Sequence, residues 1–269
     1  RRFRRKIMFV VVGFYAALFV SSTFVLLFEF VIPHGGSTIP DPIIIPIDDI
    51  LDDLEYPGEV PTMLGNSTII GSYTTDMVLI TIYQTRLYNS DVFIADVVLR
   101  DAQSMISAFS YDIFGGKNYR QTISAMAKEN DAIFGINADN ASHFNSGYII
   151  RNGYVLRSTT SDRDAVALNY DGNLVSYVEE EISIQTIMDN GAWQLWSFGP
   201  SLIVDGVSVA SFDGALEREE ILNPRTAIGS SGSNHFMFVV VDGRSDISAG
   251  VDIIQLANIM KSLNCTTAY

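Results

Sequence analysis

Cysteine and histidine are scarce in this sequence of 269 residues, which contains one cysteine and three histidines. The single thiol, Cys265, cannot form an internal disulfide, so the folded state depends on packing. The histidines are His34, His143 and His235, and their separation argues against a histidine-based metal centre. The sequence also lacks a nucleotide-binding glycine loop, a zinc motif and a serine-hydrolase elbow. We therefore expect neither a metal nor a cofactor.

Basic residues are also few, since 17 Lys and Arg stand against 31 Asp and Glu and give a formal net charge of −14. After Lys6 no basic residue occurs until Arg86. A strongly acidic chain is a poor partner for nucleic acid and is repelled by an anionic membrane surface. The negative charge therefore argues against nucleic acid as a partner and favours a soluble domain.

One long segment, residues 7–28, contains no charged residue and is long enough to cross a bilayer, which takes ~20 apolar residues. Five basic residues precede it within residues 1–6, and positive charge favours the cytoplasmic side. A cleaved signal peptide is the alternative, but its apolar core is shorter, ~7–15 residues, and small residues follow it. We predict a cytoplasmic tail over residues 1–6, an anchor over residues 7–29 and an extracytoplasmic domain on a single-pass protein of the cell membrane.

Residues 30–72 are rich in proline and acidic residues, and six of the eight prolines of the chain lie here. This composition is typical of an extended linker. The piece IIIPIDDILDDL within it could instead form a strand and a short helix packed on the domain. Isolated short helices are marginally stable, so the linker is the favoured interpretation.

From Tyr73 onward the pattern predicts strands in pairs together with a few helices. MVLITIYQT and DVFIADVVL are predicted to form a hairpin around Asn89-Ser90-Asp91, and further hairpin turns are expected at Asn152-Gly153 and Asp171-Gly172. AIFGIN (132–137) is predicted as a buried strand, and residues 119–129 and 251–263 have helical spacing. We expect an α+β domain over residues 73–269, with a mixed, largely antiparallel sheet and flanking helices.

Three polar clusters adjoin the predicted strands, where a rigid sheet can hold side chains in place. They contain Asn137, Asp139 and His143 after AIFGI, Asn223-Pro-Arg225-Thr226 before another strand, and Asp242-Gly243-Arg244 after FMFVVV. From periodicity alone, an ordinary turn is the favoured interpretation of each cluster, and a functional site is the alternative.

The residues of several sequence blocks, and the order of these blocks along the chain, are more informative than periodicity. AIFGINADN, GYIIRNGYVLR, GAWQLWSFGPSLIVDGV, NPRTAIG and FVVVDGRSDISAGVDIIQLANIMKSLNCTTAY resemble, in the same order, the phosphodiester glycosidase family. This family is related to the lysosomal uncovering enzyme, and its members are often labelled exopolysaccharide biosynthesis proteins. The resemblance extends over roughly residues 73–269. It implies hydrolysis of a sugar-1-phosphodiester, N-acetylglucosamine being the sugar in the best-known member.

The resemblance also implies roles for individual residues. It implies catalytic roles for Asn137, Asp139 and Asp242, and substrate-binding roles for His143, Arg225, Thr226, Gly243 and Arg244. A guanidinium can meet two phosphate oxygens at once, and one carboxylate suffices as base or oxocarbenium stabiliser because a phosphate monoester leaves C1 readily. Ala138 departs from the usual glycine of the family. The expected partner is a glycan or sugar-phosphodiester substrate.

In the family, Asn-Leu-Asp-Gly-Gly-Gly-Ser-Ser follows the segment that resembles CTTAY, and it lines the site. The present sequence ends at Tyr269. Either the chain continues beyond this residue or part of the catalytic equipment is absent, which leaves the activity open. The rival classes are a non-catalytic glycan-binding or envelope-assembly protein and a structural anchor that makes only protein contacts.

We predict that residues 7–28 stay in the mature protein and that the domain is exposed outside the cell. Sequencing of the mature N-terminus and protease treatment of intact cells test this, because external protease should remove the domain while the anchor stays in the membrane. A mature chain that begins beyond Phe28, or a domain protected from external protease, would contradict the prediction.

Overall fold

The structure is a computed structural model that describes residues 33, 36–44, 54–139, 144–211 and 220–269. The basic tail over residues 1–6 and the transmembrane anchor over residues 7–29 lie outside the described residues, as does His143. Within the described part, no helix has the length and hydropathy needed to cross a membrane.

Every strand pairing in the described part of the chain is antiparallel, which confirms the largely antiparallel α+β expectation, although in three sheets and not in one mixed sheet. The strands are β1 Ser37–Thr38, β2 Thr68–Thr74, β3 Val78–Leu87, β4 Ser90–Leu99, β5 Ile113–Phe114, β6 Ile149–Arg151, β7 Tyr154–Arg157, β8 Asp164–Asn169, β9 Leu174–Val178, β10 Ala192–Ser197, β11 Ile203–Val204, β12 Val207–Ser208, β13 Arg225–Gly232, β14 His235–Val241 and β15 Thr267–Ala268.

The helices are short compared with the strands they flank. They are α1 Thr62–Gly65, α2 Ile123–Glu129, α3 Ile184–Asp189 and α4 Ile253–Ser262, with 3₁₀ turns at Ala102–Ser104, Ser110–Asp112 and Glu179–Glu181. A reciprocal cap begins α4, because Asp252 Oδ1 accepts from Gln255 N at 2.7 Å and Gln255 Oε1 accepts from Asp252 N at 3.2 Å.

The chain divides into two compact units, of which the larger comprises residues 40–107 and 137–269. It contains an eight-stranded sheet in the order β12-β11-β15-β13-β14-β4-β3-β2. One face of this sheet packs against α4, where Leu256, Ala257 and Met260 meet Met237 and Val239 in a buried apolar cluster. Burial of this face is the main stabilising contribution to the sheet.

A five-stranded sheet in the same unit has the order β7-β6-β10-β8-β9. Its apolar cluster joins Ile150, Ala167 and Leu195 to Ile187 of α3, and all four are fully buried. The strand β10 lies at the centre, and each of its residues from Ala192 to Ser197 is buried. Side chains at the ends of β6 and β10 are therefore held by a rigid support.

The smaller unit comprises residues 1–39 and 108–136, and its described part contains the β1/β5 pair and α2. Thr122 caps α2 by accepting from Ala125 N at 3.2 Å. After the helix, Ala132 N donates to Ala127 O at 2.8 Å, and the position of a β-carbon on Gly135 would be 3.4 Å from Ala127 Cβ. The chain that follows α2 thus folds back onto the helix.

This arrangement overturns the expectation of a buried strand over residues 132–137. None of these residues belongs to a strand, and Ile133 is 55% exposed. A short apolar run cannot be assigned by periodicity alone, and here it packs beside α2 and forms no ladder.

Other local predictions are confirmed. Asn152-Gly153 and Asp171-Gly172 lie in the turns of the β6/β7 and β8/β9 hairpins, and the predicted helix near the C-terminus is α4. The β3/β4 hairpin also forms, with Leu87 opposite Ser90. Its turn residues are Tyr88 and Asn89, both at positive φ, so the turn lies slightly earlier than the predicted Asn89-Ser90-Asp91.

Several described residues of the predicted linker, residues 30–72, belong to the larger unit and pack within it. The Tyr56 hydroxyl donates a hydrogen bond to Asp96 Oδ2 at 2.8 Å. Leu64 is buried in the apolar cluster between α4 and the eight-stranded sheet. The strand β2 begins at Thr68, before the predicted domain start at Tyr73. The piece IIIPIDDILDDL lies partly outside the described residues, and the limits of the domain stay a prediction.

We predict that Leu64→Ala destabilises the full chain by about 2–5 kcal/mol, because it opens a cavity in the apolar cluster. Leu64 is 1% exposed, whereas Val60, a matched control four residues earlier, is 53% exposed. Burial raises the pKa of the Cys265 thiol to about 12, so its alkylation reports unfolding in a urea series. Equal unfolding midpoints for Leu64→Ala and Val60→Ala would show that the segment before Tyr73 is only a linker.

Candidate active site

Two of the polar clusters leave the eight-stranded sheet at the same end. Arg225, the first residue of β13, pairs directly with Val241, the last residue of β14. The antiparallel register therefore brings Arg225 and Thr226 beside the Asp242-Gly243-Arg244 segment. Five of the eight residues singled out in the sequence thus lie at one sheet end.

Glycines allow the two segments to pack closely. A β-carbon on Gly243 would lie 2.7 Å from Pro224 N, and one on Gly250 would lie 2.5 Å from the carbonyl carbon of Asn223. Gly250 also has a φ of +92°, a conformation that side chains disfavour. The backbone of Asn223 and Val251 forms an isolated bridge beside them. Glycine at both positions therefore fixes the relative positions of Arg225 and Arg244.

The two arginines at this end are both held by hydrogen bonds. Arg225 donates from Nε to Val251 O at 3.2 Å and from Nη2 to Ile221 O at 3.1 Å. Arg244, which is exposed and has a φ of 62°, donates from Nε and Nη2 to Asn223 Oδ1 at 3.2 and 2.9 Å. Arg225 is half-buried and supports the loop, whereas Arg244 projects from it.

Asp242 has an exposed carboxylate whose Oδ1 accepts from Gly243 N at 2.8 Å. Its backbone N–H donates to Asp91 O at 3.0 Å, which continues the pairing of β14 with β4 beyond Val241. In the described part of the chain, this carboxylate forms no ion pair. The backbone pairing therefore fixes the position of Asp242, and its carboxylate is accessible to solvent.

The segment with Asn137 and Asp139 reaches the same sheet end. Thr226 donates from Oγ1 to Asn137 Oδ1 at 2.9 Å. Asn137 is exposed and Thr226 is half-buried, so the bond lies at the surface of the cluster. It brings the third polar cluster next to the other two.

Asp139 itself is turned toward the five-stranded sheet. Both of its carboxylate oxygens accept from Arg151 Nη2 at 2.7 Å, and the two side chains are each only 3% exposed. Ser197 N donates to Asp139 Oδ2 at 3.3 Å. Arg151 also donates to the carbonyls of Ile150 and Leu195, and Trp196 lies beside its guanidinium with the ring centroid at 5.7 Å. The carboxylate of Asp139 is therefore buried, neutralised and oriented.

Two more arginines follow Arg151 in the chain: Arg157 is the last residue of β7, and Arg163 directly precedes β8. Arg157 donates from Nε to Gly147 O at 2.6 Å and from Nη1 to Phe144 O, and Arg163 donates from Nη2 to Ser146 O at 2.9 Å. Burial lowers the pKa of Arg157, the charge of Asp139 opposes this effect, and the charge of Arg163 adds to it. The loop that follows the site segment is thus held by two guanidinium groups.

Tyr269 connects the two sheets of the larger unit. Its backbone pairs with Ile228 of β13, and its hydroxyl donates to Asp164 O at 2.9 Å and accepts from Phe198 N at 2.5 Å. Burial raises the pKa of this hydroxyl, so it stays protonated and can keep donating. The tyrosine fixes the position of β8 relative to β13.

Sequence reasoning missed Arg151, Arg157, Arg163 and Tyr269. A signal existed for Arg151, because an arginine directly after Ile149-Ile150 and before an Asn-Gly turn is a charge at the end of a buried strand. Its carboxylate partner could not be inferred, since the pair joins segments with no local sequence relation. In the described part of the chain, no group of three or more metal-ligating side chains converges.

The fold and site define a class of protein: an antiparallel α+β domain with arginines and aspartates gathered at the end of one sheet. The phosphodiester glycosidase family model matches residues 127–269, and the chain belongs to this family. The family and the fold are those of a hydrolase.

Two relatives illustrate the extent of the similarity. The SPbeta prophage-derived uncharacterized protein YomE of Bacillus subtilis (strain 168) is 24% identical over 183 residues, which is 62% of this chain and 28% of that protein. The chain thus spans less than a third of this relative. The catalytic domain of zebrafish N-acetylglucosamine-1-phosphodiester alpha-N-acetylglucosaminidase, auto-inhibited by its pro-peptide, has a similar fold. It superposes with a TM-score of 0.55 at 18% identity over 82% of this chain and 84% of that domain.

We predict that Asp139→Asn destabilises the protein by about 3–5 kcal/mol, because it leaves the buried Arg151 guanidinium without a counter-charge. The matched control is Asp91→Asn, which breaks an ion pair with Arg86 whose side chains are 24% and 54% exposed. Pairs of this exposed kind contribute about 0–1 kcal/mol. Urea unfolding of the two variants measures the difference. If both variants unfold at the same urea concentration, Asp139 is not the structural anchor inferred from its contacts.

Proposed function

We propose that this protein is a membrane-anchored, extracytoplasmic hydrolase that cleaves a sugar-1-phosphodiester, of the N-acetylglucosamine type, in envelope or extracellular glycans. The observation that carries the proposal is the convergence of three polar clusters through the β13/β14 pairing and the hydrogen bond from Thr226 to Asn137. Family membership supports the reaction type. The anchor over residues 7–29 and the outward orientation follow from the uncharged segment and the basic residues before it.

The two aspartates have different surroundings, which leads us to assign them different roles. Both oxygens of Asp139 are occupied by Arg151, so this carboxylate is poorly placed to take a proton. Asp242 is exposed and accepts one hydrogen bond from the adjacent backbone. We assign Asp242 as the base or as the group that stabilises positive charge at the sugar. Asp139 positions Asn137 through the backbone of the segment they share.

In the proposed reaction, the bond between C1 of the sugar and the phosphate oxygen breaks, and a water oxygen forms the new bond to C1. Asp242 takes the proton that water loses, and the phosphate departs with the bonding electron pair as a phosphate monoester. Arg244 meets the phosphate oxygens as negative charge gathers there, because a guanidinium offers parallel donors to an oxyanion. Arg225 holds the loop that presents Arg244 and completes the cationic end of the sheet.

We expect Asp242→Asn to reduce turnover of N-acetylglucosamine 1-(methyl phosphate) by about 100- to 1000-fold, a loss typical of removing one group that stabilises a transition state. Its thermal stability should change little, because the carboxylate is exposed. Sugar release by the full chain in detergent is the measurement, and melting temperature is measured beside it.

The control for this variant is Asp246→Asn, an exposed aspartate in the same loop. It should retain turnover. If wild-type protein binds the glycan and releases no sugar, the chain is a non-catalytic glycan-binding member of the family. If Asp242→Asn and Asp246→Asn are equally active, Asp242 has no role in the reaction.

A further inference from the structure

Three arginines, Arg151, Arg157 and Arg163, lie in or directly beside strands of the five-stranded sheet. Arg151 is paired with Asp139, but Arg163 has no carboxylate partner among the described residues. The carboxylate of Glu179 is engaged by backbone donors. Glu179 accepts from Tyr148 N at 3.0 Å and from Ser161 N at 2.8 Å.

Arg163 is also incompletely hydrogen-bonded. Its Nη2 donates to Ser146 O, whereas its Nε is buried and has no hydrogen-bond partner within the described part of the chain. An unpaired buried donor carries a free-energy cost, and this cost is greater for a charged group. A bound ligand that accepts hydrogen bonds from the same guanidinium would offset this free-energy cost.

A second buried polar atom without a partner among the described residues lies next to Arg163. It is Ser197 Oγ, and both groups border Gly147. A β-carbon on Gly147 would lie 2.5 Å from Ser197 Oγ and 2.9 Å from Arg163 Nη2, and Gly147 has a φ of +95°. The glycine therefore lets a hydroxyl and a guanidinium approach one another beside the Asp139 segment.

Aromatic rings extend the site outward from Arg163. The guanidinium carbon is 4.3 Å from the ring centroid of Phe144, whose centroid is 6.1 Å from that of Phe198. Phe198 is 40% exposed, which is unusual for a large apolar side chain following a buried strand. A flat apolar face beside a cation suits a sugar ring that carries an anionic substituent.

From these contacts we propose that Arg163, with Arg157 and Ser197 around it and Phe198 at its edge, forms a second anion-binding subsite for a phosphate group of the substrate. This inference rests on the proposed function and deepens it. A single phosphodiester requires one cationic site, and Arg244 provides that site at the sheet end. A second site at Arg163, beside Ser197 of the five-stranded sheet, implies a substrate with repeated phosphates, such as a chain of sugars joined by phosphodiesters.

The test compares two substrates with the full chain: N-acetylglucosamine 1-(methyl phosphate), which has one phosphate, and a synthetic two-unit phosphodiester of the same sugar. Arg163→Gln should raise KM for the two-unit substrate by about 10- to 100-fold, the usual effect of losing a charge-assisted hydrogen bond. KM for the one-phosphate substrate should stay unchanged. Arg244→Gln should impair both substrates.

A matched control is Arg100→Gln, because Arg100 also donates to a main-chain carbonyl, that of Asp76 at 2.6 Å, and it follows the opposite end of β4. Melting temperatures identify variants that lose structure. If Arg163→Gln is unstable, Arg163→Lys takes its place in the comparison, because it keeps the positive charge but loses the planar pair of donors. An equal KM change for both substrates, or no change for either, overturns the second subsite while leaving the proposed function intact.

A readout without turnover separates the two proposals. Calorimetric titration with inorganic phosphate should detect two sites in the wild type, one at Arg244 and one at Arg163. Arg163→Gln should remove the second site, and Arg100→Gln should retain both. If no substrate is hydrolysed but this difference is observed, the proposed function fails and the subsite stands. Phosphate binding that is identical in wild type and Arg163→Gln would overturn the subsite.

Discussion

The buried pair between Asp139 and Arg151 is the interaction on which the candidate site depends. It attaches the segment with Asn137 to the five-stranded sheet, while the hydrogen bond from Thr226 attaches the same segment to the eight-stranded sheet. Removing two charges from water is costly, and a buried ion pair seldom increases net stability. Here the pair has additional bonds from Ser197 N to the carboxylate and from the guanidinium to two carbonyls, which offset much of that cost. We therefore interpret the pair as an interaction that fixes the geometry of the candidate site.

The rest of the site is fixed by backbone packing more than by side chains. Gly243 and Gly250 let the Asp242 loop lie against Asn223 and Pro224 at distances that a β-carbon would prevent. The β13/β14 ladder then sets the spacing between Arg225 and Asp242. Tyr269 connects the two sheets through Ile228 and Asp164. Rigid support of this kind is what a site needs when catalysis depends on prearranged charge.

Local features of this fold were predictable, and features that depend on distant contacts were not. The Asn152-Gly153 turn and the α4 periodicity are encoded within a few residues, so the hairpin and the helix could be assigned from sequence. The apolar run at 132–137 was misassigned because its environment is the side of α2 and not a neighbouring strand. The grouping of Arg225 with Asp242 could be expected from strand ends. The burial of Asp139 could not, because its partner Arg151 lies in another element.

The net charge places a constraint on how such a site can work. A chain with a formal charge of −14 repels anionic substrates at long range, so attraction must come from cations concentrated at one place. Of the twelve basic residues that follow Lys6, five lie in the segments around the candidate site: Arg151, Arg157, Arg163, Arg225 and Arg244. All five are arginines, whose planar donors bind an oxyanion with defined orientation and whose charge persists on burial. Exposed charges act over about 8–10 Å at ordinary ionic strength, so under the proposed function we expect this cluster to select a substrate by contact after encounter, not to steer it from a distance.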